Sequence, residues 1–195
     1  MRMILASTSP RRKELFTRLG IPFDVIAPRY QEILDPELTA EQQVVTFALG
    51  KARSIGISNA FILGSDTVIE VDSLILGKPA DIADARLMLT LLQGRTHRVM
   101  TGVALIIPNE PVIEEHWHEV TEVRMRAMRD QQIDEYIASC EPLDKAGAYA
   151  IQGIGQKFIE QVNGNIDNVI GLPLKSVAIA LRKYGFLVPE NVYSP

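Results

Sequence analysis

Met3–Ala6 is a short unbroken apolar run, and the chain turns polar at Ser7-Thr8-Ser9 before Pro10. A run of that length bounded by turn residues predicts a buried strand. Ser9 as N-cap and Pro10 at the first helical position predict a helix, which Gly20 stops. Residues 23–27 predict a second strand, followed by a proline-bearing loop through Pro36. Thr39 with Gln42 three residues on is a capping-box pattern, opening a helix that runs to about Ile55. Residues 61–63 predict a strand ending in Ser65-Asp66-Thr67. Residues 68–71 and Leu74–Leu76 flank Asp72-Ser73 as a hairpin.

Gly77-Lys78-Pro79 breaks the strand, and Asp81 caps a helix reaching about Gln93-Gly94. Two long strands follow at 97–107 and 112–127, joined by Pro108-Asn109-Glu110-Pro111, and they are expected to pair antiparallel. From Val99 to Ile107 the chain is apolar on both faces, as in a central strand. In its partner, Ile113, Trp117, Val123 and Met125 share one face, and Glu114, His116, His118, Glu122 and Arg124 the other. That period of two predicts a half-exposed strand. Asp130 is expected to cap a helix to about Ser139, a polar stretch covers 141–155, a strand begins near Lys157, and a helix spans 173–184 before Gly185. Strands and helices interspersed in this way predict an α/β fold with a mixed sheet.

Composition narrows the class. The chain has 195 residues, 47% of them hydrophobic, which suffices for one globular unit with a real core. The net charge of −4 argues against a large nucleic-acid footprint, yet a local basic pocket can still take a small polyanion. Cys140 is the only cysteine, so no intrachain disulfide can form. No apolar stretch approaches a membrane span and the N-terminus lacks a signal-peptide core, so the expectation is a soluble cytoplasmic protein.

Candidate chemistry gathers at a few places. At Ser7-Thr8-Ser9-Pro10-Arg11-Arg12 a strand feeds a hydroxyl-rich turn and then a helix N-terminus bearing two guanidinium groups. Free backbone N–H groups, hydroxyls and arginine all suit phosphate. The same residues also describe an ordinary helix start with arginines on a solvated face. No Walker loop occurs anywhere. Asp66 closes an apolar strand behind Gly64 and Ser65, the usual place for an acid that holds a cation or serves as general base, though a turn-forming aspartate fits the pattern as well. Glu32 is a second candidate carboxylate. Lys51, Lys78 and Lys145 are each an ordinary surface charge taken singly, and a triphosphate would need several such cations. His116 and His118 share a strand face, but no third zinc ligand has suitable spacing; His97 is expected to pack near its strand start, and Cys140 to be structural.

Taken in order, these segments resemble the Maf family of nucleotide pyrophosphatases. Leu5-Ala6-Ser7-Thr8-Ser9-Pro10-Arg11-Arg12-Lys13-Glu14-Leu15 is similar to the family's opening motif, and Gly64-Ser65-Asp66-Thr67-Val68 to its catalytic segment. Gly77-Lys78-Pro79, the run from Glu141-Pro142-Leu143-Asp144-Lys145 to Gln152-Gly153, and Asn168 with Gly171-Leu172-Pro173-Leu174 match in turn, over residues 3–185. The resemblance implies a Maf/inosine-triphosphatase-like fold: one domain over 1–195, with two lobes around a central cleft and an elongated mixed sheet.

It further implies metal-dependent hydrolysis of a nucleoside triphosphate to monophosphate and pyrophosphate. Asp66 would be the proton acceptor and, with Glu32, would hold Mg2+ or Mn2+. Ser7, Arg11, Arg12, Lys51, Lys78 and Lys145 would hold phosphates. The Asp144–Gln152 run looks like the branch that cleaves dTTP and UTP, with specificity positions at Arg11, Thr67 and Gln152. A glutamine amide matches the alternating donor and acceptor edge of uracil or thymine. Family members are often homodimers. Two alternatives accompany this reading: a nucleotide-binding regulator of septum formation, and a purine house-cleaning enzyme acting on ITP or XTP.

Overall fold

The computed structural model describes residues 1–190 and 192. Among the described residues seven strands form one mixed sheet: β1 (Met3–Ala6), β2 (Asp24–Ile26), β3 (Phe61–Val71), β4 (Leu74–Leu76), β5 (Thr96–Ile107), β6 (Ile113–Met125) and β7 (Ile159–Asn163). The order is β2-β1-β3-β5-β6-β7, with β4 paired to β3. β1 runs parallel to both β2 and β3, and β6 antiparallel to β7. The helices are α1 (Pro10–Thr17), α2 (Ala40–Arg53), α3 (Ile82–Leu92), α4 (Asp130–Ala138), α5 (Ile166–Ile170) and α6 (Leu174–Lys183).

Local signals explain most of these boundaries. Ser9 Oγ accepts the Arg12 amide at the start of α1, and the Thr39–Gln42 capping box closes in both directions at the start of α2. Asp81 Oδ1 accepts the Asp84 amide ahead of α3. Asp72 and Ser73 both take left-handed φ, as a two-residue hairpin turn compatible with strand twist requires. β5 is buried at eight consecutive residues before Ile107 and at Ile107 itself, as its two-faced apolar run predicts, and the odd-numbered face of β6 is the more protected one.

Three expectations need correction. The strand carrying Asp66 does not stop there: β3 continues to Val71. What ends is β1, whose last pairing is Ala6 with Gly64, so Asp66 lies beyond the carboxyl end of β1 although it is in mid-strand on β3. The N-cap of α4 is Arg129 and not Asp130, because Gln132 Oε1 accepts the Arg129 amide. The short helix α5 has no counterpart in the sequence expectation, being only five residues long.

The chain divides into two compact units. The first comprises Met1–Asp66, Thr101–Glu119 and the described residues from Gly171 onward; the second comprises Thr67–Met100 and Val120–Ile170. Ile4, Ala6, Ala48, Ala52, Ile62 and Ala104 belong to a core of the first unit. A larger cluster in the second unit includes Leu89, Leu92, Val99, Tyr136, Tyr149 and Phe158.

Two glycines set how closely α2 lies on the sheet of the first unit. A Cβ on Gly64 would enter the Ala48 carbonyl and Ala52 amide of α2, and one on Gly102 would enter the Val44 carbonyl. Both obstacles are backbone, so neither can rotate away. Gly64→Ala should therefore destabilise by about 1–3 kcal/mol, the usual cost of overpacking. Thermal unfolding checks this, and an unchanged midpoint would refute the close-approach argument.

Candidate active site

The site of the first unit begins where β1 ends. Ser7, 4% exposed, accepts the Ser9 amide on Oγ at 3.1 Å, and Ser9 in turn caps α1. Arg11 and Arg12 occupy the first helical turn, which carries no acidic residue. The part-buried Arg12 donates from Nε to the Gly171 carbonyl at 2.8 Å, and the same carbonyl accepts Ser65 Oγ at 3.1 Å. Gly171 is thus the acceptor that joins the first turn of α1 to the segment before Asp66. That explains why the Gly171-Leu172-Pro173-Leu174 run belongs to the pattern; its sequence alone suggested no such role.

Lys51 is the central cation. It stands in the last turn of α2, 6% exposed, with Nζ bonded to Asp66 and, at 2.6 Å, to Glu32. Helical spacing alone made Lys51 an ordinary surface charge. The close seating of α2 over Gly64 turns it inward instead. Asp66 is 5% exposed, and burial raises its pKa above the usual carboxylate value, against the lowering effect of Lys51 and Arg12 and with a further push from Glu32. A carboxylate of raised pKa accepts a proton more readily than an exposed one.

Glu32 comes from an irregular loop, so something must hold that loop. Tyr30 does so: a Cβ on Gly50 would enter its ring, and the ring meets Phe47 edge-on with centroids 6.2 Å apart. Burial, followed by the charges of Asp66 and Glu32, raises the Tyr30 pKa. The sequence signal for this contact is a glycine at position 50 inside an otherwise good helix.

Ser7, Arg12, Glu32, Lys51 and Asp66 all belong to the first unit. Thr67, Lys78, Lys145 and Gln152 belong to the second. There Lys78 is exposed, and the backbone of its loop is tied to the Lys145 loop by a 2.9 Å bond from Gly147 N to the Gly77 carbonyl. Lys145 Nζ donates to the Glu141 carbonyl at 3.2 Å and also meets Asp144. Gln152 is exposed, just before Gly153. His116 and His118 are exposed on β6. Cys140 is exposed, with left-handed φ at the turn after α4.

His97 packs as expected, 2% exposed, with Nε2 2.6 Å from the Tyr149 hydroxyl. Burial lowers its pKa to about 4. The unfolded chain would protonate His97 near pH 6.5 and the folded one only near 4, so stability is lost as pH falls through that window. The loss amounts to about 3 kcal/mol when complete. His97→Phe should therefore show a flatter decline of Tm between pH 6.5 and 4 than the parent. Parallel curves would refute it.

A family model described as Maf-like protein matches residues 2–184. The dTTP/UTP pyrophosphatase of a Bacillus cereus strain is 42% identical over 185 residues, covering 94% of this chain and 95% of the relative. That of Symbiobacterium thermophilum is 43% identical over 186 residues, covering 94% of each. Among solved structures, the Staphylococcus aureus Ham1 protein aligns with a TM-score of 0.55 at 13% identity, covering 94% of this chain and 100% of the other. A HAM1 protein from Coxiella burnetii gives 0.53 at 18% identity, covering 94% and 99%. At such identities the structural likeness speaks for the α/β fold alone.

Proposed function

Because the chain belongs to the Maf family, we propose that it hydrolyses dTTP and UTP to the monophosphate and pyrophosphate. The observation that supports this most is the buried Lys51, bonded to both Asp66 and Glu32, in the unit that also holds the Ser7–Arg12 phosphate signals. In this reading Asp66 removes a proton from water as the water oxygen bonds to the α-phosphorus. The bond from that phosphorus to the bridging oxygen breaks, and pyrophosphate leaves with its electron pair. Lys51 and Arg12 offset the charge of the phosphoryl oxygens.

Glu32 and Asp66 would hold Mg2+ or Mn2+. Both carboxylates converge on one cationic atom, Lys51 Nζ, and they are the hard oxygen donors such ions take. Among the described residues no cluster of three His, Cys, Asp or Glu is present, so substrate phosphates and water would complete the shell of the ion. When bound, the ion would neutralise phosphate charge and polarise the bond to be broken.

Arg11, Lys78 and Lys145 complete the proposed phosphate ligands, and Arg11, Thr67 and Gln152 select the base. No helix among the described residues is long and apolar enough to cross a membrane. The test is a panel of dTTP, UTP, CTP, ITP, XTP and 7-methyl-GTP with Mg2+ or Mn2+, read as pyrophosphate. Preferential release from dTTP and UTP is expected. Efficient cleavage of 7-methyl-GTP or ITP with dTTP and UTP left intact would overturn the substrate assignment.

A further inference from the structure

Glu141 opens the run that ends in Gln152, and its carboxylate is the hub of that run. Oε2 accepts the Tyr136 hydroxyl at 2.8 Å and the Gly155 amide at 2.8 Å, while Oε1 accepts the Ile154 amide at 3.0 Å. Tyr136 Oη in turn accepts the Ala150 amide at 3.1 Å. One side chain therefore holds, directly or through a single tyrosine, backbone donors on both sides of Gln152.

The surroundings are built for this contact. Gly153 has φ +75°, and a Cβ there would strike Glu141 Oε1; a Cβ on Gly155 would strike the Tyr136 hydroxyl and the Ala150 carbonyl. Desolvation works against the charged form of Glu141, but the bonds from Tyr136, Ile154 and Gly155 outweigh it and lower its pKa. The side chain is thus an anion at neutral pH, accepting charge-assisted bonds from the Tyr136 hydroxyl and the Ile154 and Gly155 amides. Lys145, a proposed phosphate ligand, bonds to the carbonyl of the same residue.

We propose that Glu141 is a positioning residue for base selection: its carboxylate sets the Ala150–Gly155 turn and thereby the place of Gln152. This rests on the reading that Gln152 selects the base. A turn held at its backbone on both sides presents one glutamine geometry, whereas a loosened turn presents several. Selectivity should fall before the chemistry does.

The experiment compares Glu141→Gln, Gln152→Ala and the double variant with the parent, reading kcat and KM for UTP and for ATP. Glutamine keeps the size of the side chain but replaces one acceptor oxygen by a donor facing other donors. Glu141→Gln is expected to lower the UTP-to-ATP preference about tenfold, mainly through KM for UTP, with kcat near the parent value. Gln152→Ala should lower it by a similar factor, and the double variant no further, because both act at one point. Should Glu141→Gln depress Tm yet keep the full preference while Gln152→Ala loses it, the proposal is overturned and Glu141 is structural only. Additive losses in the double variant would also overturn it. If Gln152→Ala keeps the preference, the underlying reading of Gln152 fails and the proposal fails with it. Should the parent release no pyrophosphate, the same comparison is made on equilibrium binding of UTP and ATP. Tyr136→Phe supplies a second variant, removing one donor to Glu141 and the acceptor for Ala150; it should shift selectivity in the same direction.

Discussion

Asp66→Asn should reduce pyrophosphate release by about 10^2- to 10^4-fold, the range lost when a positioned general base is removed. Nucleotide binding should change far less, since the proposed phosphate ligands Arg12 and Lys51 remain. The substitution is nearly isosteric, and the amide oxygen can still accept from Lys51, so the fold should persist. Asp66 is 5% exposed and its pKa is raised by burial, so the neutral amide relieves a desolvation cost that the carboxylate bears. Lys51 keeps its bond to Glu32, so the loss of Tm should be smaller than that of Lys51→Met. Turnover measured under single-turnover conditions, with binding measured separately, decides the matter. Retained turnover would remove Asp66 from the mechanism. A parent protein that binds nucleotide but releases no pyrophosphate would instead favour the reading as a nucleotide-binding regulator of septum formation.

Lys51→Met carries the second large effect, and on both stability and activity. It leaves the buried Asp66 without its ammonium partner and faces it with the Glu32 carboxylate. Breaking a buried pair from one side costs about 3–5 kcal/mol. In a chain of this size that corresponds to a fall in Tm of roughly 10 °C. The double variant Lys51→Met/Asp66→Asn should recover much of the loss, because it removes both charges of the buried pair. Mn2+ should raise the Tm of Lys51→Met more than that of the parent, since the ion then meets two carboxylates free of a competing ammonium. Equal Tm for Lys51→Met and the parent would show that the pair contributes nothing to the fold.

These two residues mark how far sequence reasoning reaches. Asp66 stood out because it follows an apolar run and two small residues. Its position relative to the ending of β1, and not of its own strand, needed the pairing of Ala6 with Gly64. Lys51 had no distinguishing local context: one lysine in a helix is usually solvated. Its burial follows from Gly64 and Gly102, two glycines far apart in the chain that let α2 settle onto β3 and β5.

Local chemistry by itself determined the helix starts at Ser9, Thr39 and Asp81, the hairpin at Asp72-Ser73, the two-faced burial of β5 and the alternation along β6. Each depends on residues a few positions apart, where capping bonds, turn dihedrals and period-two burial act. The family likeness, carried by short runs in a fixed order, was legible for the same reason. Only the tertiary structure decided which charges meet. Arg12 and Ser65 converge on Gly171, across separations of 159 and 106 residues, and Lys51 joins Asp66 with Glu32. Glu141 gathers the amides of Ile154 and Gly155 in the same way. Such contacts form where backbones pack closely enough to bury a charge. Burial then makes pairing obligatory, since an unpaired buried charge costs more than the fold can offset.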